Sequence, residues 1–339
     1  MEKVFKKDTS FYYAMSLAAS WAWGTSLVVG MQTVQEKGLI PFLIWAIANS
    51  IALPLFGFVA YRIPNLQKVV NSKVVMLFTT IVMIFCLWIQ MNAIYQYLNN
   101  LEFMADIASK IVSILLAIIM VFALYKDGLI KSIFIDNPLW LLCYVLLIVL
   151  LICGFVFSVD THNIVGVVDQ KEIGWAINSV IILFSGPIMN IQNWQMAEKL
   201  KKEKKVESSH CIAGILFAVY MAFVGALAYF QFNGIMNIIL VLVVLCVALT
   251  TADAAIVGMH KIAGKKVGIL IALISVVFWH FVSDWGVMGL WTTMGNMRKY
   301  VAGVCILVAI GMYIYQKKIK KENTKTDEIE NKEDSKVTN

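Results

Sequence analysis

The stretch LCVALTTADAAIVGMHKIAG, residues 245–264, sets two hydroxyls, Thr250 and Thr251, and one carboxylate, Asp253, in a run that is otherwise apolar. What surrounds that run decides how the three are read. The mean hydropathy of the chain is +0.78, only 14% of its residues are charged, and apolar runs of about 20 residues recur along its whole length. A water-soluble chain of 339 residues needs far more charged surface than 28 basic and 21 acidic side chains supply. The sequence therefore reads as an all-α polytopic membrane protein. Segments such as VSILLAIIMVFALY, residues 112–125, lack the alternation of a barrel strand, and a helix satisfies its own backbone hydrogen bonds in hydrocarbon.

Charged and polar breaks divide the chain into ten expected transmembrane helices at about 11–31, 39–61, 74–97, 107–125, 138–158, 173–196, 209–230, 234–259, 267–284 and 299–316. The run after MEKVFKKDTS continues to about Gly30 with no small-residue cleavage site, so it reads as a first permanent span and not as a signal peptide. The net charge of +7 sits in loops and in the tail, which points to the membrane surface and away from nucleic acid. With the amino terminus inside, 23 of the 28 Lys and Arg residues fall on the cytoplasmic side, and only Lys37, Lys110, Lys171, Arg298 and Lys299 fall outside. That bias predicts a multi-pass protein of the cell (cytoplasmic) membrane with both termini cytoplasmic. Residues 317–339, polar and charged in both signs, read as a disordered cytoplasmic tail, and 1–10 as the cytoplasmic amino terminus. The six cysteines occur singly, with no CxxC pair or metal-ligand spacing, and imply no disulfide and no cofactor.

Ten helices divide into five plus five, residues 11–158 and 173–316, and an odd number per half makes the second half enter from the opposite side. An inverted repeat of this kind places interruptions in the first helix of each half. Both are found. AASWAWGTSLVVG, residues 18–30, carries Ser20, Gly24, Thr25 and Ser26 between tryptophans, and LFSGPIMNIQNWQ, residues 183–195, carries Gly186 and Pro187. Trp21, Thr25, Ser26, Asn190 and Gln192 lie beside these breaks and are the candidate contacts for a solute. Asp253 is too costly to leave unpaired in hydrocarbon, and with two adjacent hydroxyls it offers hard oxygens suited to a small hard cation. No Walker A, GxSxG or HExxH pattern is present, so enzymatic activity is not expected.

These residues resemble the sodium/solute symporter family, secondary transporters of the LeuT fold, in three places. ALTTADAA, residues 248–255, looks like the family's motif in core helix 8; ASWAWGTSLVVGMQTVQEKG, 19–38, looks like its unwound helix 1; IMNIQNWQMAEKLKKEKK, 188–205, is similar to its helix 6 and lysine-rich loop. The resemblance implies a sodium site in which Thr250 and Thr251 give side-chain oxygens, Ser20, Trp23 and Val247 give carbonyls, and Asp253 supports the shell. It departs from the family where an expected arginine is Met196 and where a sugar-contacting glutamine would be Leu27. The expectation is a LeuT-like five-plus-five fold with broken helices 1 and 6, performing sodium-coupled symport of a small neutral or zwitterionic organic solute by alternating access. Two other readings stay open: a proton-coupled amino-acid or amine permease using Asp253, and a transporter-like membrane sensor that does not transport. Oligomeric state is not legible.

Overall fold

The computed structural model describes residues 9–101, 103–123, 128–157 and 169–337. Most of the expected amino-terminal segment 1–10, together with Lys126 and residues 158–168 between the two expected repeats, lies outside the described residues. Helices α1 (Ser10–Trp21) and α2 (Trp23–Gln32) are followed by a single π turn, Thr33–Lys37. Then come α3 (Leu39–Phe58), a 3-10 turn at Ala60–Arg62, α4 (Leu66–Val70), α5 (Lys73–Asn99), α6 (Asp106–Ala123) and α7 (Gly128–Phe157). The carboxy-terminal part holds α8 (Gln170–Ile188), α9 (Ile191–Lys201), α10 (Val206–Leu227), α11 (Gly234–Ala263), α12 (Lys265–Phe278), two 3-10 turns and α13 (Gly286–Val337). No β-strand occurs among the described residues.

The helix boundaries follow local chemistry. Thr9 caps α1 by accepting from the Tyr12 amide, Asp169 caps α8 by accepting from the Lys171 amide, and Asn190 caps α9 by accepting from the Gln192 amide. Gly38 and Gly264, at φ 92° and 80°, turn the chain between successive helices.

Among the described residues, seven helices are long and apolar enough to cross a membrane, and eight if α8 and α9, bent by 54° at their junction, form one crossing. This differs from the ten expected segments for a length reason. Residues 11–31 are two helices of 12 and 10 residues, and 267–284 is a helix of 14 residues ending in 3-10 turns, each short of the roughly 20 residues a full crossing takes. The last helix also starts earlier and ends later than expected, at Gly286 and not 299, and it continues to Val337 where a disordered tail was expected. Residues 317–337 hold no Gly or Pro and mix lysine with glutamate and aspartate, a composition that a helix tolerates well.

The outer faces are apolar. On α6, Ile107, Ile111, Leu115, Ile119 and Phe122 form one stripe at helical spacing and are 51–72% exposed. A stripe of that extent is unfavourable against water and matched by lipid tails. Inside, α11 is the axis: 61% of its apolar window is buried against 22–50% for the six other single spans, and it packs on α5, α7, α12, α1 and α2. Every residue from Tyr13 to Met31 is buried, so the short helices α1 and α2 lie in the centre of the bundle. Helix α3 closes one side against α10 and α8, and α13 closes another against α5, α8 and α2.

The lipid-facing assignment is tested by Leu115→Lys, which should cost roughly 2.5–3.5 kcal/mol on insertion and lower the amount of chain recovered from membranes. Unchanged recovery would place that stripe against something other than lipid.

Candidate functional site

The site is organised by the interruption between α1 and α2. Trp23 has φ 30°, a conformation rare for a residue with a bulky side chain, and it turns the chain out of the helical path immediately after Ala22. Such a break exposes backbone groups that hydrocarbon cannot hydrate, and neighbouring helices supply the partners. The Gly24 amide donates to Gln90 Oε1 of α5 at 2.6 Å. The Ala19 carbonyl accepts from the Thr250 hydroxyl of α11 at 3.1 Å, as well as from the Ala22 amide at 3.2 Å. Position 24 must be glycine for this to happen: a Cβ there would lie 2.7 Å from Ala93 Cβ and 2.9 Å from Gln90 Oε1.

The residues expected to hold sodium are arranged as follows. Ser20 and Trp23 stand on either side of the break, and the Ser20 hydroxyl donates to Leu17 O at 3.2 Å. Thr250 and Thr251 both donate to the Val247 carbonyl, at 2.9 and 3.1 Å. Thr250 has one hydrogen to share between the Val247 and Ala19 carbonyls, Thr251 gives its own to Val247, and both oxygens keep lone pairs. Asp253 is fully buried, but it faces α7 and not the break. Neither of its oxygens has a donor in good hydrogen-bonding geometry, and the Ser132 hydroxyl, the Asp136 carboxyl and the Ala254 amide are among its polar neighbours. Thr250 is thus joined to the end of α1, whereas Asp253 belongs to a second group.

That second group joins four helices. Ser16 of α1 donates to Asp136 Oδ2 of α7 at 2.6 Å, and Gln192 of α9 donates through Nε2 to the Ser132 hydroxyl at 3.2 Å. Ser16, Ser132, Asp136, Gln192 and Asp253 are all buried. Sequence reasoning missed Asp136 because IDNP, residues 135–138, reads as a turn before a span, and the residue before proline disfavours helix. Helix α7 in fact begins at Gly128 and carries Pro138 inside it. The apolar residues Leu129, Ile133 and Ile135 before the proline were the available signal.

A third group surrounds a cavity of about 10 Å³, room for one water molecule, beside the break. Its walls include Trp21, Trp23, Thr25 and Ser26 from α1 and α2, Trp45 and Asn49 from α3, Trp291 and Arg298 from α13, and Leu183 from α8. Trp21 Nε1 donates to the Asn49 carbonyl at 3.1 Å, and Trp45 meets Trp291 edge-on with ring centres 6.3 Å apart. Arg298, 2% exposed, donates from Nη2 to the Ile182 carbonyl at 3.0 Å and lies 5.6 Å from the centre of the Trp23 ring. The charge bias and a last span beginning at about 299 put Arg298 on the outer side, and the structure buries it instead. The uncharged run WTTMGN before it belongs to the same helix, which carries the arginine into the interior.

Of the five residues expected to contact a solute, Trp21, Thr25 and Ser26 therefore share one cavity. Asn190 and Gln192 do not line it: Asn190 caps α9, and Gln192 is held at Ser132. Outward from the cavity, Trp175 meets Trp291 with ring centres 6.3 Å apart. Lys37 lies over Trp175 and pairs with Glu172 at 2.7 Å. Among the described residues, no group of three or more His, Cys, Asp or Glu side chains is placed to hold a metal ion. No protein-family model and no curated protein sequence matches the chain.

Gly24→Ala should destabilise the protein by about 1–3 kcal/mol, because the added methyl meets Ala93 on a packed helix and displaces the Gln90 amide. Thermal unfolding in detergent measures this, and a variant as stable as the wild type would mean that the Gly24–Gln90 contact is dispensable.

Proposed function

We propose that the protein is a secondary transporter that couples sodium entry to the uptake of a small neutral or zwitterionic organic solute by alternating access. In this reading α1 with α2, and α12, are crossings beside the eight apolar spans, giving ten in a LeuT-like five-plus-five inverted repeat. The observation that carries the reading is the buried interruption at Ala22–Trp23, tied to α11 by the Thr250–Ala19 hydrogen bond. The 54° bend between α8 and α9, at the matching place in the second half, supports it. So does the position of Trp21, Thr25 and Ser26 around one cavity beside the first break. The lysine bias supports a cell-membrane location with both termini cytoplasmic, and the motif resemblance supports membership of the sodium/solute symporter family.

Sodium would lie where the end of α1 meets α11, taking carbonyl oxygens near the break and the lone pairs of Thr250 and Thr251. Binding there joins two elements that must part when the inner side opens, so the ion favours the outward-facing state. Loss of the ion to the cytoplasm releases α1 and, with it, the solute.

The pairing of Asp136 with Asp253 favours a second reading of the same fold, a proton-coupled amino-acid or amine permease. Two buried carboxyls side by side cannot both stay charged without a cation between them, and a proton serves as well as a sodium ion.

Sodium should raise the melting temperature of the solubilised protein relative to choline, and should be required for uptake into proteoliposomes. Thr250→Ala and Thr251→Ala should each raise the sodium concentration needed by roughly tenfold, about 1.4 kcal/mol of ion-binding free energy. Equal behaviour in sodium and choline would sink sodium coupling. Uptake driven by a pH gradient without sodium, and lost in Asp136→Asn, would establish the proton-coupled reading instead.

A further inference from the structure

The cavity beside the break contains a buried cation with no counter-ion. Among the described residues no carboxylate lies within 4 Å of Arg298, whose guanidinium spends one nitrogen on the Ile182 carbonyl and leaves Nε without a partner. An unpaired charge this deep is costly, so the arrangement asks for an anion. The other walls point the same way. The Nε1 groups of Trp23 and Trp45 and the Asn49 Nδ2 are buried without acceptors. These four shielded atoms without a partner are all N–H donors, while the Thr25 and Ser26 hydroxyls and Asn49 add side chains that can also accept. Aromatic walls often suit a ligand cation, but here a guanidinium already lies over the Trp23 face and would repel one.

We propose that this cavity is the binding site for the carboxylate of a small organic solute, held by Arg298 and by the N–H donors of Trp23, Trp45 and Asn49. A carboxylate brings one negative charge and two acceptor oxygens, which match one guanidinium and its neighbouring donors. A dianion would remain half neutralised. At about 10 Å³ the cavity holds no more than a water molecule in this conformation, so its walls, Trp45 and Trp291 among them, must move apart for a solute to bind. Gly186 lets the parts approach this closely, since a Cβ there would lie 2.4 Å from the Trp21 ring and 3.1 Å from Arg298 Nη2. This inference rests on the transporter reading and names its substrate class.

The test is thermal stabilisation of the full-length protein in detergent, at constant sodium and ionic strength. The probes are acetate, propionate, benzoate and alanine, each set against its amide, with chloride and nitrate as inorganic controls. At least one carboxylate should raise the melting temperature above the chloride baseline while its amide does not. For that carboxylate, Arg298→Lys should weaken half-maximal binding by about tenfold and Arg298→Gln should abolish it. Should Arg298→Gln fail to fold, Trp23→Phe and Trp45→Phe keep the rings and remove one donor each, and should weaken binding by about two- to tenfold. The proposal is overturned if no carboxylate stabilises, if amides or inorganic anions do so equally, or if the tryptophan variants bind undiminished. Carboxylate binding without flux in proteoliposomes would refute transport and leave the site standing. Flux of a solute lacking a carboxylate, undiminished in Arg298→Lys, would refute the site and leave transport standing.

Discussion

Hydrocarbon provides no hydrogen-bond partner, and the interior of this bundle is built around that constraint. A helix meets it within itself. The chain breaks its helix at Ala22–Trp23, in the most enclosed part of the molecule, and thereby creates backbone groups that only other helices can satisfy. Gln90 of α5 accepts from Gly24, and Thr250 of α11 donates to Ala19. The break is therefore a junction of three helices, and the residues around it are constrained by one another. Glycine at 24 is a consequence of the Gln90 contact, and the Trp21–Asn49 bond ties α3 to the same junction.

Charge is distributed around this junction in an unbalanced way. Toward α7 lie two carboxyls, Asp136 and Asp253, held among Ser16, Ser132 and Gln192, with no cation paired to them among the described residues. Toward α13 lies Arg298, with no carboxylate within 4 Å of it among the described residues. Buried charges of this kind are expensive and persist where an exchangeable partner completes them. An acidic group and a basic group, each without a counter-charge among the described residues, are thus attached to the same broken helix. The Thr250–Ala19 bond lies on α1 between Ser16 and Trp23, so one broken helix carries contacts to both groups.

Much of this was legible along the chain, and the failures share a cause. The helical membrane class followed from hydropathy, and the polar residues at 20–26 and 250–253 stood out against an apolar background. Asp136 and Arg298 were misread because a charge beside Asn-Pro, or beside a lysine, normally ends a span. In both cases the helix continues through the charge, and the partner that makes this tolerable is far away in sequence: Ser16 for Asp136, the Ile182 carbonyl and Trp23 for Arg298. Asn190 and Gln192 were grouped with the solute contacts because they follow the Gly-Pro step. The bend they create turns them instead toward a helix cap and toward Ser132.

The sequence by itself determined the solvent, the helical class and the places where helices would be interrupted, because each depends on residues close together in the chain. Hydropathy is a local sum, and a proline or glycine acts on its own turn. Tertiary structure alone decided which polar residues share a site. Whether a buried aspartate faces a cation ligand or another aspartate depends on the rotation and packing of helices that are distant in sequence. In LTTADAA, residues 249–255, both outcomes occur three residues apart: Thr250 reaches the end of α1, and Asp253 turns to Asp136 on α7. A helix places such residues on neighbouring but different faces, and only the packing around α11 gives each face its partner.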